Sequence, residues 1–207
     1  METAPAPMQE GIVLQTMAHE LRQPLSALES IAYYLGMVLP HREARAREQV
    51  VRIRQLIEQS NWILSCGLRL TVDDPPSPEA MDLDEVITQA VAARSSSGEP
   101  HTMLNLAGNL PLVQFDPEQA RALMANLLML VAQNATPQHP PRVRTWTDGA
   151  VFVEFATSAP GHGSEASLGA GAALGVESAR RIVEAHAGAF ALYADPASGI
   201  RVQVVLP

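Results

Sequence analysis

Apolar residues fall at Met17, Leu21, Leu28, Ile31, Leu35 and Val38, and Pro24 completes a strict four-three alternation. A helix that keeps this spacing lines these side chains along one narrow seam, which must be buried against other helices. Leu39-Pro40-His41 ends the pattern. A second amphipathic stretch, from about Arg42 to Leu70, carries Val50, Ile53, Ile57 and Leu64, with Leu56 and Ile63 on its flank. The two stretches predict an antiparallel helical hairpin. A single hairpin leaves one side of each seam in water, so the expectation is a four-helix bundle made by dimerisation.

Asp73-Asp74-Pro75-Pro76-Ser77-Pro78 has no periodicity and reads as a linker. It separates a hairpin domain at about 9 to 72 from a second domain at about 79 to 207. In the second domain the pattern is mixed. Helices are expected at about Leu83 to Ala93, Pro117 to Gln133 and Val176 to Ala187, the second of them capped by Asp116-Pro117. Strands are expected at His101 to Leu106, Leu112 to Phe115, Arg142 to Trp146, Ala150 to Thr157, Ala189 to Ala194 and Ile200 to Leu206. Asp148-Gly149 is a hairpin turn dipeptide. Helices and hairpins on one antiparallel-rich sheet make this an α+β fold, not a doubly wound one.

Composition excludes several function classes. With 47% apolar and 17% charged residues the chain can build a core and is too poor in charge to be disordered. All 14 basic residues are arginine, against 22 acids, and the net charge of -8 opposes binding to a phosphate backbone, so no nucleic-acid partner is expected. Cys66 is the single cysteine and has no intrachain partner. Met1 to Glu10 lacks the features of a secretion leader, and no apolar run approaches the ~18 to 20 residues of a membrane span. The expectation is a cytoplasmic protein without a membrane segment.

His19 carries the most specific signal. With Met17 at heptad position d and Leu21 at a, His19 falls at f and points to water. An exposed neutral imidazole there is nucleophilic through its unprotonated nitrogen. The run Ala18-His19-Glu20-Leu21-Arg22-Gln23-Pro24-Leu25 resembles the phosphoacceptor box of sensor histidine kinases. The resemblance implies that one imidazole nitrogen attacks phosphorus while Glu20 holds or takes the proton of the other. It places at Gln23 a polar residue that the family often uses to position water for dephosphorylation. Pro24 removes a helical hydrogen bond and bends the helix.

The second domain is similar to the ATP-binding half of the same family, an α/β sandwich of the histidine-kinase ATPase (Bergerat-like) type. Asp116-Pro117-Glu118 through Asn126-Leu127-Leu128 follows the start of its asparagine box, and Arg180-Arg181-Ile182-Val183-Glu184-Ala185-His186 matches the helix after its last glycine box. Four parts of the nucleotide site depart from the pattern. Leu130 stands where the family places a magnesium-holding asparagine, and leucine has no donor oxygen. Asn134-Ala135 offers a substitute only one helical turn out of register. Thr157 stands for the adenine-binding aspartate, and Ala159 for the first glycine after it. Ala173 replaces the middle glycine between Gly171 and Gly175. Only Ser164 to Ala170 separates Gly163 from Gly171, too few residues for the family's long lid. The glycines then read as turn and helix-packing residues of an inherited scaffold, and ATP is not expected as a cofactor.

The remaining histidines, His41, His101, His139, His162 and His186, show no metal-ligand spacing and read as loop or surface residues. Ser95-Ser96-Ser97 has no partner base and reads as a loop. Five arginines against two glutamates make residues 42 to 54 a local basic stretch, suited to a solvated face or to an acidic receiver domain. An intact acceptor histidine beside a decayed nucleotide pocket resembles the dimeric histidine phosphotransferases of bacterial phosphorelays. The resemblance implies that His19 carries a phosphoryl group between receiver-domain aspartates of response regulators, with Mg²⁺ supplied by the receiver and a hybrid kinase upstream. Two other readings stand beside it. One is a divergent ATP-dependent sensor-type kinase; the other is a non-catalytic pseudokinase adaptor or phosphatase.

Overall fold

A computed structural model describes residues 7–72, 75–94, 101–158, 169–195 and 198–207, with side chains from residue 13 onward. The linker's Asp73-Asp74, the Ser95-Ser96-Ser97 run, Ala159, Gly161, His162, Gly163 and the Ser164 to Leu168 stretch of the short lid lie outside the described residues. The chain divides into two compact units, residues 1–73 and 74–207.

The first unit is a hairpin of α1 (Pro7–Val38) and α2 (Ala44–Thr71). Pro24 lies inside α1, so the Glu20 carbonyl loses its helical partner without ending the helix. The helices meet through small residues. Ala18 and Ala32 are buried on α1, while a Cβ at Gly36 would stand 3.8 Å from Val50 Cγ1. Val50, Ile57, Trp62 and Cys66 are the buried positions of α2. The heptad seam read from the sequence is on another face, since Met17, Leu21, Leu28, Ile31 and Val38 are each about half exposed in the single chain. Ile53, on the second stretch's part of the seam, is 40% exposed in the single chain. The reason is geometric: alanine and glycine let two helices approach closely, and the bulky seam is turned outward. Arg47 Nη1 donates to the Leu39 carbonyl at 2.8 Å and closes the C-terminal end of α1.

The second unit has three helices, α3 (Leu83–Arg94), α4 (Pro117–Ala132) and α5 (Ala170–Ala185). Its strands are β1 (Glu79–Met81), β2 (Met103–Asn105), β3 (Val113–Phe115), β4 (Arg142–Thr147), β5 (Val151–Thr157), β6 (Ala189–Asp195) and β7 (Gly199–Leu206). A five-stranded sheet runs β2-β4-β5-β7-β6, antiparallel except for the β2–β4 pair, and β1 pairs with β3 in a separate two-stranded sheet. The fold is α+β. Helix α4 is central: every residue from Asn126 to Val131 is buried. It packs with Leu83 and Ile87 of α3 and with the inward positions Val153 and Phe155 of β5 and Val202 and Val204 of β7 in one core.

Two expectations about this unit are corrected. The short strand β1 follows the linker directly; three residues after a proline-rich run are too few to show an alternation. Helix α5 starts at Ala170, six residues before the expected start, because Ala170, Ala172, Ala173 and Leu174 outweigh the glycines between them. Gly171, Ala173 and Gly175 are therefore helical residues, and only Gly169 occupies the cap.

His186 also departs from its expected surface role. It is 8% exposed, stacked on Phe115 with ring centroids 3.6 Å apart. Its Nε2 accepts the Asp116 amide at 3.0 Å, which leaves Nδ1 to donate to the Ile182 carbonyl at 2.8 Å. This fixes one neutral tautomer and joins β3 to the end of α5. His186→Ala removes the stack and leaves a buried amide unpaired, a loss of about 2 to 4 kcal/mol. A urea midpoint within error of the parent would refute this account.

Asp116 is the acidic partner of the same junction. Its Oδ1 accepts the Gln119 and Glu118 amides, capping α4, and Oδ2 accepts the Ser77 amide, all at 2.9 Å. The Gln119 and Ser77 amides hold its carboxyl below the ordinary range against the opposing effect of burial, with a smaller contribution from the Glu118 amide. A lowered folded pKa stabilises above the unfolded value, near ~3.9, and that contribution is lost as pH falls through the folded pKa. Asp116→Asn keeps the accepting oxygen but cannot titrate. Urea midpoints measured from about pH 6 to about pH 2 should therefore fall less steeply in this variant than in the parent.

Candidate functional site

His19 is exposed near the middle of α1, one helical turn before Gln23. Residues four apart share a helix face, and Gln23 Nε2 stands 3.4 Å from His19 Nε2. An amide nitrogen can only donate, so this contact is a hydrogen bond in the tautomer whose Nε2 is unprotonated and whose Nδ1 carries the proton. In that tautomer the lone pair that can attack an electrophile is on Nε2. Glu20 projects about 100° away around the helix and makes no hydrogen bond or ion pair with the imidazole. It lines an apolar hollow of about 430 Å³ with Val13, Thr16, Met17 and Leu21. Arg22 Nη2 donates across the hairpin to Ser65 Oγ at 3.2 Å, fixing α1 against α2 beside the imidazole. The structure therefore brings together His19 and Gln23, and leaves Glu20 beside them without contact.

The second unit shows what occupies the positions of the nucleotide pocket. Leu130 is fully buried. Asn126 is 3% exposed, and its Nδ2 donates to the Gly175 carbonyl at 2.8 Å, which ties α4 to α5. Asn134 lies beyond the end of α4 and donates Nδ2 back to the Leu130 carbonyl at 2.9 Å. Thr157 is 1% exposed, and its hydroxyl donates to the His139 carbonyl at 3.2 Å. A Cβ at Gly199 would collide with the Thr157 carbonyl oxygen, so the backbone is closely packed here too. Mg²⁺ takes oxygen ligands, and the resemblance to the family's ATP-binding half implies an asparagine oxygen on α4 and an adenine-binding carboxylate at the end of β5. These residues do not fit Mg-ATP: a sealed leucine, an asparagine committed to helix packing and a hydroxyl committed to a loop stand there instead.

Of the other histidines, His41 and His101 are exposed, and His139 is half-buried with Nδ1 3.2 Å from Ser158 Oγ. Among the described residues no group of three or more His, Cys, Asp or Glu side chains is arranged to hold a metal ion. No described helix is long and apolar enough to cross a membrane.

No protein-family model matches the chain. The sensor histidine kinase ZraS of Klebsiella oxytoca is 27% identical to it over 213 aligned positions, covering 95% of this chain and 46% of that protein. ZraS of Escherichia coli is 26% identical over the same extent, covering 45% of its length. The chain thus spans about half the length of the curated relatives it matches. Among solved structures, full-length ShkA in complex with AMPPNP superposes with a TM-score of 0.63 at 19% identity, covering 98% of this chain and 46% of ShkA. The cytoplasmic segment of the histidine kinase QseC gives a TM-score of 0.56 at 14% identity, covering 74% of this chain and 94% of that segment. The solved structures share the fold, and the sequence match to ZraS covers 95% of the chain. The chain is homologous to the sensor histidine kinases over nearly all of its length and has the fold of their helical-hairpin and catalytic domains.

Proposed function

We propose that this histidine-kinase-like chain is a histidine phosphotransferase of two-component signalling, a cytoplasmic homodimer that carries a phosphoryl group on His19 between receiver-domain aspartates. The observation that supports this reading best is the contrast between the two units: an exposed imidazole with an available Nε2 lone pair, and a second unit whose nucleotide positions are filled by Leu130 and Thr157. In the forward step Nε2 attacks phosphorus of a receiver's aspartyl phosphate. The N–P bond forms, the P–O bond to the aspartate breaks, and its electron pair leaves on the aspartate carboxylate. Nδ1 keeps its proton, and the positive charge of the phosphoimidazolium is balanced by Glu20 after a rotation of its free side chain. The receiver contributes its own Mg²⁺, so nothing in residues 79 to 207 has to hold a metal. The reverse step uses the same groups.

Homology to sensor kinases favours a second reading, a divergent ATP-dependent kinase. Calorimetry with Mg-ATP separates the two. Losing a charge-assisted hydrogen bond to adenine costs about 1.5 to 3 kcal/mol, and losing metal coordination adds to it. The expected result is no heat of binding at up to millimolar Mg-ATP. A Kd below about 100 μM, roughly -5.5 kcal/mol, would establish the kinase reading instead.

A further inference from the structure

The helices of the second unit cover one face of the five-stranded sheet. The other face has a composition that neither the phosphoacceptor nor the nucleotide positions explain. Strand pairing sets its outward rows. Arg142, Ala156, Arg201 and Tyr193 form one row across β4, β5, β7 and β6, extended by Met103 on β2. Arg144, Glu154 and Gln203 form the next row, and Trp146, Phe152 and Val205 the third.

The face is both aromatic and basic. Trp146 and Phe152 stack with centroids 5.1 Å apart and planes within 8°. The Arg144 guanidinium lies 5.0 Å from the Trp146 ring centre, and that of Arg201 lies 4.5 Å from Tyr193. Tyr193 is 46% and Met103 57% exposed. Glu154 is the one acid in the middle of the face and is 3.9 Å from Arg201. Asp195, at the β6–β7 turn, accepts the Ser198 amide. Arg142 and Arg144 have no carboxylate partner among the described residues. In a chain with 22 acids and 14 bases, two neighbouring arginines left unpaired beside a stacked tryptophan are unusual.

Stacking holds a guanidinium flat on a ring and leaves its N–H edge directed outward, pre-organised for a carboxylate. Arg142 and Arg144 are two residues apart on one strand, about 7 Å, which matches the spacing of alternate side chains on an extended peptide. Tryptophan, tyrosine and arginine are also the residues that dominate binding energy at protein interfaces. We propose that this open sheet face docks an acidic, extended segment of a partner protein, its alternate carboxylates on Arg142 and Arg144 and an apolar side chain on Trp146 and Phe152. A nucleic acid suits the face less well, because the net charge of -8 repels a polyanion at long range while a short acidic segment meets only the local arginines.

The test uses the full chain and a fluorescein-labelled peptide of alternating glutamate and leucine with a central tryptophan. Controls are its glutamine counterpart and labelled oligothymidylate. The expected result is binding of the acidic peptide that weakens at least ~10-fold, about 1.4 kcal/mol, in Arg142→Glu/Arg144→Glu. Arg45→Glu/Arg52→Glu in the hairpin's basic stretch should leave it unchanged. Amide shifts in the unmodified protein should concentrate on β4 and β5, a readout that does not depend on folding of the variants, and Arg144→Gln gives a milder second variant. No binding of the acidic peptide, binding insensitive to Arg142 and Arg144, shifts confined to the hairpin, or tighter binding of oligothymidylate would each overturn the proposal.

Discussion

His19→Ala leaves the chain without any acid-labile, alkali-stable phosphoryl label after mixing with a phosphorylated receiver domain of the same organism. Removing the nucleophile of a group-transfer site reduces rate by at least ~10³-fold, and no nearby group can substitute. His41 is exposed on the turn between the helices, about 30 Å along α1 by helical rise, so His41→Ala should label like the parent. His186→Ala is a poor control, since that ring holds β3 to α5 and its loss destabilises the second unit. The neighbours of His19 separate by mechanism. Gln23 meets Nε2 through one long hydrogen bond of 3.4 Å, and Gln23→Ala should change transfer by less than ~10-fold. Glu20→Ala should slow it by ~10²-fold if its carboxylate balances the imidazolium in the transition state. Labelling that survives the loss of His19, or no labelling by any receiver of the organism, removes the phosphotransfer reading and leaves the adaptor reading in its place.

The helices and hairpins of this protein were legible wherever the pattern is local. Asp116-Pro117 marks the start of α4 because one carboxylate caps two amides within three residues, and Asp148-Gly149 marks the β4–β5 turn because Gly149 takes φ +73°. What the sequence hid depends on partners far along the chain. The heptad at Met17 to Val38 correctly signals a helix, yet spacing alone cannot say which of two partners a seam faces. The inner stripe through Ala18, Ala32 and Gly36 is too small to register as hydrophobic, so the sequence pattern shows the seam expected to be covered by a second copy and not the face on which α1 and α2 meet.

The same limit applies to the site. His19 and Gln23 are four residues apart, and helical geometry alone brings them together. His186 meets Asp116 across 70 residues and Phe115 beside it, which no window over the sequence spans. The alternation Arg142-Val143-Arg144-Thr145-Trp146 is visible in the sequence, but which alternate set faces the helices follows only from the pairing of β4 with β5. Leu130 could be read as missing an oxygen; that its position is also sealed inside the core required the packing of α4.

Leu28→Glu/Ile31→Glu converts a dimer into a folded monomer near 22.2 kDa. On α1, Leu14, Met17, Leu21, Leu28, Ile31, Tyr34 and Val38 are between 45% and 59% exposed in the single chain, and Ile53 and Leu56 of α2 add 40% and 51%. Fully burying one such side chain is worth roughly 1.5 to 3 kcal/mol, so completing burial of the half still exposed gives about 1 kcal/mol each. Two copies contribute this stripe twice, which outweighs an association cost of about 4 to 15 kcal/mol. Two glutamates facing their copies across the seam replace that gain with buried like charges, and the dimer Kd should rise at least ~10³-fold. Helicity should be retained, because Leu28 and Ile31 are already about half exposed in the single chain. Ala32→Glu tests the opposite face: it forces a carboxylate into a position 1% exposed and should unfold the hairpin itself. Sedimentation and far-UV circular dichroism together distinguish these outcomes. A parent protein that sediments as a monomer at micromolar concentration would show that the seam serves something other than a second copy of the chain.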